Sequence, residues 1–417
     1  MPSTWQFVAL GTALLLVLGV LVALGSTGVR RIPGSPAAAP ASAPASKPAP
    51  PTVQLHVSPT GADTATGAAD APLRTIQAAL ERAEPGTVIN LAPGVYREQP
   101  VTVRDGSADA PIVIQGPEGG RDRAGRYRAT VYGTGRIVSI NHSHHVLDGF
   151  TVDGQERLAD VPFPTDLRAI DAFKDGVQSR VADGRLIYVG AADTSRDITG
   201  VRISNMFLNG AGGECVRLRN NAHGNAVTDS VIQYCGMFGK GDDEERATYH
   251  NGEGVYIGTS PNSEKQPMHR NDGSSNNLVS GNIIRTFGSE CFNVKENAHD
   301  NVFADNVCSG NTESAEFDGS NVELRGHRNV VRNNQISDSA GYTLKIKSDD
   351  EEYDKGGNVV TNNHLSGSAA ALMLESDAAQ GPMCGNVVAT RSSTPGRTED
   401  DEDGDEDEPS TDLSVPC

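Results

Sequence analysis

A pattern of asparagine and aliphatic residues recurs through the second half of the chain. Written as Asn-x-Val-x-x-Asn-x-Ile, it starts at Asn277, Asn301, Asn329 and Asn358, and weaker or truncated copies start at His145, Gly200, Asn225 and Asn386. From Asn277 onward the starting positions are 24, 28, 29 and 28 residues apart. A regular interval of about 20 to 50 residues is typical of solenoids, in which each repeat is one structural unit.

A second kind of segment lies between these copies, and in it aliphatic residues alternate with other residues. The aliphatic pairs are Ile187/Val189, Val216/Leu218, Val255/Ile257, Phe292/Val294, Val322/Leu324, Leu344/Ile346 and Leu372/Leu374. Alternation predicts a β-strand with these pairs on the core face and the intervening residues on the other face. Two or three such strands, with glycine at corners and asparagine at a fixed turn, form one coil of a parallel β-helix. The predicted fold class is therefore all-β, and we expect the asparagines to stack into a hydrogen-bonded ladder.

Residues 73–83 (LRTIQAALERA) have helical periodicity, and Pro85-Gly86 follows them. Because proline and glycine end helices, the pattern predicts a short amphipathic helix. We expect this helix to cap the N-terminal end of the solenoid.

The two ends of the chain differ in composition from the repeats. Residues 7–25 are uncharged and mostly apolar, which predicts a signal peptide or a membrane anchor within residues 1–29. Ala23 and Gly25 favour cleavage, whereas the length of the segment and the absence of Lys or Arg before it favour retention, so both remain open. Residues 30–52 form a Pro/Ala-rich linker, residues 53–394 the β-helix domain, and residues 395–417 an acidic tail that we expect to be disordered.

Composition limits the classes of partner and compartment. A net charge of −19 argues against a nucleic-acid partner, because phosphate binding requires a basic surface. Six cysteines, all beyond residue 200, fit disulfides outside the cytosol, although a cytoplasmic domain with reduced thiols stays open.

The positions of the cysteines in the repeat limit how they can pair. Cys215 and Cys291 share a column two coils apart, so their Cα atoms are expected to lie about 9.6 Å apart, which is too far for a bridge. We expect local bridges instead, Cys215–Cys235 and Cys291–Cys308, each within a single coil, with Cys384–Cys417 tying down the tail.

Alignment of the coils on the alternating strand predicts columns of outward side chains. One column reads Arg219, Gly258, Lys295, Arg325, Lys347, Glu375, and the column two residues earlier reads Arg217, Tyr256, Asn293, Glu323, Lys345, Met373. Stacked cations repel one another, so they favour a groove for a polyanion. A third column of Glu214, Glu253 and Glu290 requires either paired cations or a shared divalent ion such as Ca²⁺. An exposed strip of mutual salt bridges is the alternative.

Two stretches carry a resemblance to known proteins. Residues 56–98, followed by Ala110-Pro-Ile-Val-Ile114, resemble the opening of right-handed parallel β-helix carbohydrate-active proteins of the pectin-lyase fold. Glu290-Cys-Phe-Asn-Val-Lys295 and Val322-Glu-Leu-Arg325-Gly-His327 resemble the active-site coils of the chondroitinase B and alginate lyase family. The resemblance implies that Glu290 is a calcium ligand, Lys295 the base and Arg325 the group facing the leaving oxygen. Gly288 stands where that family has a second acidic ligand, and Glu253 on the preceding coil is the candidate replacement.

These residue types suit β-elimination from a uronic acid. Neutralising the C6 carboxylate acidifies the C5 proton, which a divalent ion can do. The base is then an amine whose pKa we expect cationic neighbours to lower. We expect the substrate to contact a set of polar residues around this base, namely Arg217, Arg219, Tyr256, His327 and Lys347.

The leading hypothesis is an exported polysaccharide lyase that cleaves an acidic, uronic-acid-containing glycan with calcium as a possible cofactor. The expected partner is an anionic polysaccharide, and we expect a monomer, secreted or tethered by the N-terminal segment. A uronan epimerase, an inverting glycoside hydrolase with two carboxylates about 6.5–9.5 Å apart, and a non-catalytic cell-surface solenoid remain alternatives.

Overall fold

Short strands with aliphatic residues at alternate positions stack into three parallel sheets. The computed structural model describes residues 53–121, 125–237, 252–261, 271–349, 351–368, 370–389 and 412–417. These residues all belong to one of the two units into which the chain divides, Ala49–Cys417. The expected signal or anchor, the linker and most of the acidic tail lie outside the described residues. Within the described ranges, no helix has the length and hydropathy needed to cross a bilayer.

The strands are numbered in chain order, and successive strands of one coil belong to different sheets. Sheet 1 contains β1 (Val53–Val57), β2 (Thr87–Leu91), β4 (Ile112–Gln115), β7 (His145–Asp148), β11 (Arg202–Ser204), β15 (Ala226–Thr228), β18 (Leu278–Ser280), β21 (Val302–Ala304), β24 (Val330–Arg332), β27 (Val359–Thr361) and β30 (Met383–Cys384). Sheet 2 contains β3 (Gly94–Arg97), β5 (Ala129–Tyr132), β8 (Thr151–Asp153), β12 (Phe207–Asn209), β16 (Val231–Gln233), β19 (Ile283–Arg285), β22 (Val307–Ser309), β25 (Gln335–Ser337), β28 (His364–Ser366) and β31 (Val387–Ala389). Sheet 3 contains β6 (Gly135–Ile140), β9 (Gly184–Val189), β13 (Val216–Leu218), β17 (Val255–Ile257), β20 (Phe292–Val294), β23 (Ser320–Leu324), β26 (Tyr342–Lys347) and β29 (Ala370–Glu375). The short strands β10 (Ile198–Thr199) and β14 (Ala222–His223) pair with each other.

The described helices are few and short. They are α1 (Ile76–Arg82), α2 (Ile170–Val177) and single 3₁₀ turns at Glu156–Leu158, Leu167–Ala169, Gln178–Arg180, Ala315–Phe317 and Glu351–Tyr353. In α1 the Thr75 side chain caps the N-terminus, and Glu98 accepts hydrogen bonds from the Ile76 and Gln77 amides. The buried face of α1 joins the core beside β1 and β2. The helix therefore lies within the range predicted from the sequence, although it starts three residues later.

The core lies between the three sheets and consists of the alternating aliphatic residues. In sheet 3, Val216, Val255, Phe292 and Val322 pair in register on successive coils. These side chains are completely buried, and burial of each stabilises the fold by about 1.5–3 kcal/mol. The alternation predicted from the sequence therefore gives the correct core face, and the architecture is a parallel β-helix.

Two asparagine ladders bind the coils together, where the repeat predicts one. Before sheet 1, the ladder runs through Asn225, Asn277, Asn301, Asn329 and Asn358. Between sheets 1 and 2, the second ladder runs through Asn282, Asn306, Asn334, Asn363 and Asn386. On each rung the side-chain oxygen accepts both a backbone amide and a side-chain amide from the preceding coil, as Asn334 does from Asn306 at 2.9 and 3.0 Å. These bonds satisfy buried amide groups whose loss costs about 1–3 kcal/mol each.

Three disulfides join Cys215 to Cys235, Cys291 to Cys308 and Cys384 to Cys417, the pairing expected from the sequence. The last bridge brings residues 412–417 to the final coil. Leu413 is buried there, and its carbonyl accepts the Asn386 amide at 3.1 Å. The prediction of a disordered tail is therefore wrong for these six residues, because in the structure they pack against the solenoid.

An insertion between β8 and β9 forms a second, smaller apolar cluster. Ile170 and Val177 of α2 pack with Leu158, Met237 and Phe287, and the rings of Phe163, Phe173, Tyr234 and Phe287 meet edge to face or tilted. Met237 and Phe287 lie on the turns that lead from sheet 2 to sheet 3. The insertion therefore covers the turns that precede the strands of the candidate site.

Candidate functional site

One column of side chains on the outer face of sheet 3 brings the charged residues together. Its members pair in register from coil to coil in the order Ser139, Tyr188, Arg217, Tyr256, Asn293, Glu323, Lys345, Met373. We call this set the outward column. It contains the column predicted from the sequence, with two further members at its N-terminal end. Arg217, Tyr256, Glu323 and Lys345 are buried although they point away from the core.

Glu323 is the centre of the charge cluster on this face. Its carboxylate lies 2.9 Å from Lys345 Nζ, 3.1 Å from Arg325 Nε and 3.9 Å from Lys295 Nζ. Burial raises the pKa of Glu323, but Arg325, Lys295 and Lys345 outweigh burial and hold this pKa well below its usual value. From the sequence, Glu323 is a candidate only as one carboxylate of an inverting hydrolase, together with Glu214, Glu253 and Glu290, and the ion-pair role of Glu323 was not predicted. The signal for that role was a carboxylate with Lys345 beside it in the same column and with Lys295 and Arg325 in the neighbouring one. We call Lys295, Glu323, Arg325 and Lys345 the Glu323 cluster.

Lys295 follows β20 directly and is only 8% exposed. Its ammonium lies 4.9 Å from the centre of the Tyr256 ring. Burial and Arg325 lower the pKa of Lys295, but Tyr256, Glu323 and Glu253 raise it, and the net pKa is above the ordinary value. The expectation that cationic neighbours lower this pKa is therefore wrong for the free protein, because buried acidic groups outnumber the nearby cations.

Arg325 follows β23 and contacts three carboxylates. Its guanidinium lies 3.1 Å from Glu323, 3.6 Å from Glu296 and in direct contact with Asp349. Burial lowers the pKa of Arg325, but Glu323, Glu296 and Glu290 outweigh burial and hold this pKa above its ordinary value. Asp349 is the exposed member of this group, with a side chain 45% accessible, whereas Glu296 and Glu323 are buried.

Tyr256 lies between two cations. Arg217 stacks on its ring at 4.4 Å from one coil, and Lys295 approaches the same ring from the next. A second stack occurs along the outward column, where Arg136 lies 3.8 Å from the Tyr188 ring. The Tyr188 hydroxyl accepts a hydrogen bond from Asn220 Nδ2 at 3.4 Å.

The column of glutamates at the turn before sheet 3 is not uniform. Glu214 forms ion pairs with Arg185 and Arg217, the second at 2.9 Å. Glu253 is 1% exposed, and its two carboxylate oxygens accept no hydrogen bond from any described residue. Burial, followed by Glu214 and Glu290, raises the pKa of Glu253 well above its usual value. Glu290 accepts a hydrogen bond from the Ser289 hydroxyl at 2.5 Å.

These carboxylates bear on the predicted metal site. Within the ranges that the structure describes, no group of three or more His, Cys, Asp or Glu side chains is arranged to hold a metal ion. Glu214 is neutralised by its arginines. Glu253, with its two buried oxygens lacking partners, and Glu290 on the adjacent coil are the residues whose chemistry fits a cation.

The other predicted substrate contacts divide between the cluster and its surroundings. Arg219 Nε donates to Thr259 Oγ1 at 2.6 Å, and burial lowers the pKa of Arg219 to about 10. Lys347 pairs with Glu375 at 2.7 Å and with Asp318 at 3.2 Å. His327 stacks on His299 at 5.0 Å, and burial lowers the pKa of His327 to about 4. The structure thus joins Lys295, Arg325, Tyr256 and Arg217 through shared contacts, and gives Arg219, Lys347 and His327 other partners.

Comparison with known proteins agrees with this architecture. A family described as a protein of unknown function (DUF1565) matches residues 59–108. A pectate lyase, PEL9, from Emericella nidulans is 40% identical over 67 residues, which cover 16% of this chain and 16% of that relative. The match therefore spans about a sixth of the length of the curated relative.

Solved structures extend the similarity over most of the chain. The crystal structure of pectate lyase Pel9A is 13% identical, with a TM-score of 0.53 over 82% of this chain and 78% of that one. An alginate lyase from Paenibacillus sp. is 18% identical, with a TM-score of 0.49 over 76% and 91% of the two chains. Together with the all-parallel sheets, the likeness to Pel9A shows that the chain is a parallel β-helix protein of the pectin-lyase fold.

Proposed function

We propose that this protein is a polysaccharide lyase that cleaves a uronic-acid-containing glycan by β-elimination. The observation that carries the proposal is the Glu323 cluster, in which a lysine and an arginine from adjacent coils meet at one buried carboxylate on the outer face of sheet 3. Similarity to a pectate lyase over 67 residues supports the same class of reaction.

In this reaction Lys295 takes the C5 proton of a uronate. Its raised pKa means that Lys295 is an ammonium in the free protein at neutral pH, so the proton must leave before catalysis. The rate is then expected to increase as the pH rises toward the pKa of Lys295. Arg325 holds its charge at every relevant pH and orients the sugar through its guanidinium, and Arg217 adds positive charge beside Tyr256.

Glu253 and Glu290 would hold calcium. A calcium ion bound there would supply neutralisation of a uronate carboxylate, which acidifies the adjacent C5 proton. The buried oxygens of Glu253 support this assignment, because a carboxyl without partners in the interior requires a proton or a cation.

We also propose export, with residues 1–29 acting as a signal peptide or as an anchor, and a monomeric enzyme. Three disulfides support an oxidising compartment.

The test uses the purified chain with alginate, pectate, chondroitin sulfate and dermatan sulfate, with and without calcium. A lyase produces the ultraviolet absorbance of an unsaturated uronic end. Reducing ends without that absorbance would indicate a hydrolase, and altered uronate stereochemistry would indicate an epimerase. Binding without any product would indicate a non-catalytic solenoid. Arg325→Ala should abolish turnover, whereas Arg332→Ala, which removes an exposed arginine on sheet 1, should leave it intact.

A further inference from the structure

A cleft at the N-terminal end of sheet 3 lies apart from the Glu323 cluster. Its volume is about 390 Å³, within the range of about 300–1,000 Å³ that small-ligand sites occupy. The turns that follow β3, β5 and β8 line it, together with the end of the insertion between β8 and β9. Thr134 directly precedes β6 and Ala182 lies just before β9, so the cleft adjoins the first two strands of sheet 3.

Three arginines line this cleft, and two of them have no carboxylate partner among the described residues. Arg97 pairs with Glu156 at 2.6 Å, and both side chains of that pair are exposed. Arg157 and Arg180 form no ion pair with any residue that the structure describes. Arg180 donates a hydrogen bond to the backbone carbonyl of Arg157, which joins the two ends of the insertion at the cleft.

The other carboxylate at the cleft is already engaged. Glu98 accepts the backbone amides of Ile76 at 2.9 Å and Gln77 at 3.0 Å, one with each oxygen, at the N-terminus of α1. Among the neutral polar residues of the lining, Gln99 and Thr134 suit the hydroxyl groups of a sugar. The planar donors of a guanidinium match a carboxylate, so the chemistry of the cleft fits a sugar that carries one.

The position of the cleft relates it to the proposed base. Along sheet 3 the strands follow one another as β6, β9, β13, β17 and β20, so β6 and β20 are separated by four strand spacings, about 19 Å along the solenoid. Lys295 directly follows β20. A sugar residue advances a glycan by roughly one strand spacing, so a chain of about five residues extends from Lys295 to the cleft.

We propose that the cleft is a distal subsite that binds the carboxylate of a uronate about four residues from the cleaved bond, an inference that rests on the proposed lyase function. Arg157 and Arg180 hold that carboxylate through charge-assisted hydrogen bonds. The subsite is too far from Lys295 to contact the reacting atoms, so it strengthens the binding of long chains only. Binding that is equal in the ground state and the transition state lowers KM and leaves kcat unchanged.

The test compares Arg157→Ala with Arg168→Ala on galacturonate and mannuronate chains of three and seven residues. Both substitutions remove an exposed arginine of the same insertion, but Arg168 lies outside the cleft and pairs with Asp166. On the seven-residue chain, Arg157→Ala should raise KM about three- to tenfold with kcat unchanged, as expected for loss of one partly exposed charged contact. On the three-residue chain its kcat/KM should equal that of the wild type. Arg168→Ala should match the wild type on both chains.

Calorimetry gives a readout that does not depend on turnover. In the Lys295→Ala background, Arg157→Ala should weaken binding of the acidic seven-residue chain by the same three- to tenfold. It should not change binding of that chain after its carboxyl groups are reduced to alcohols.

The outcomes separate the subsite from the lyase function. Unchanged affinity of Arg157→Ala for the acidic chain, or equal losses of kcat/KM on the short and long chains, would overturn the subsite while leaving the lyase function in place. A wild type that forms no unsaturated uronate would overturn the lyase function. A calorimetric loss confined to Arg157→Ala and to the acidic chain would then still support an acidic-glycan site at the cleft.

Discussion

Lys295 and Arg325 share the carboxylate of Glu323, which lies 3.9 Å from the lysine and 3.1 Å from the arginine. A buried carboxylate between cations from adjacent coils explains how like charges can stack in one column, because Glu323 screens their repulsion. It also raises the pKa of Lys295, so the same contact that stabilises the cluster keeps the proposed base protonated.

Glu323→Gln should make the enzyme active at lower pH and less stable. Tyr256, Glu323 and Glu253 raise the pKa of Lys295, and the loss of one of them lowers that pKa, so the ascending limb of the pH–rate profile moves to lower pH. Removing one partner of a buried ion pair costs about 3–5 kcal/mol of unfolding free energy. Rate profiles and denaturant unfolding would check both effects, with the exposed Asp305→Asn as a control. A profile that stays in place would show that Glu323 does not act on Lys295.

Asp349→Asn should strengthen binding of an acidic glycan. The Asp349 carboxylate occupies Arg325 in the free protein, where a uronate carboxylate would compete with it. Because the Asp349 side chain is 45% exposed, the contact is screened and its release should increase affinity by only about two- to fivefold. Calorimetry with oligogalacturonate at two salt concentrations would measure this change. An affinity equal to that of Asp305→Asn would exclude competition at Arg325.

Glu253→Gln should stabilise the metal-free protein at neutral and higher pH. The pKa of Glu253 is raised in the folded state, so folding disfavours its ionised form. Wild-type stability therefore falls as the pH rises above the unfolded pKa of a glutamate, about 4.3, and the neutral amide does not incur this loss. Thermal unfolding from pH 5 to 8 would show a smaller decline for the variant.

The same variant also tests the calcium assignment. Calcium should raise the Tm of the wild type and not that of Glu253→Gln, because a ligand stabilises only a protein that binds it. An equal calcium-dependent rise in both proteins would mean that calcium binds elsewhere.

Asn306→Ala should destabilise the solenoid without changing the site residues. Asn306 is buried, donates to the Val279 carbonyl and to Asn334, and accepts from Asn282. Its removal leaves several buried polar groups without partners, at a cost of about 2–5 kcal/mol. Gln335→Ala, an exposed change on sheet 2, should alter unfolding by less than about 0.5 kcal/mol. Equal effects of the two substitutions would show that the asparagine ladder does not stabilise the fold.

The sequence predicted the features that depend on the regular spacing of residues, both along each strand and from one coil to the next. Alternation identified the core face of sheet 3 and six of the eight members of the outward column, because each side chain on a strand follows the register of its neighbours. The spacing of Cys215, Cys235, Cys291 and Cys308 gave bridges within one coil. The asparagine positions gave a ladder, and the structure adds a second because the two asparagines of each repeat lie at different turns.

Features that depend on contacts between distant loops were not predictable in this way. Asp349 reaches Arg325 from the loop after β26, and the repeat contains no position for it. The sign of the Lys295 pKa shift depends on how many acidic groups surround one buried amine, and the sequence alone does not show that number. Residues 412–417 are held by the expected Cys384–Cys417 bridge, but they also pack through Leu413, a single apolar position that the acidic composition around it obscures.

The most direct test of the account is the initial rate of unsaturated uronate formation by wild type, Lys295→Ala and Lys355→Ala on the most reactive of the four glycans. Both substitutions remove one lysine charge, but Lys355 is exposed and lies against Tyr353, outside the Glu323 cluster. The account predicts a rate about 10²- to 10⁴-fold lower for Lys295→Ala and unchanged for Lys355→Ala. Full activity of Lys295→Ala, or no ultraviolet absorbance from the wild type on any of the glycans, would contradict it.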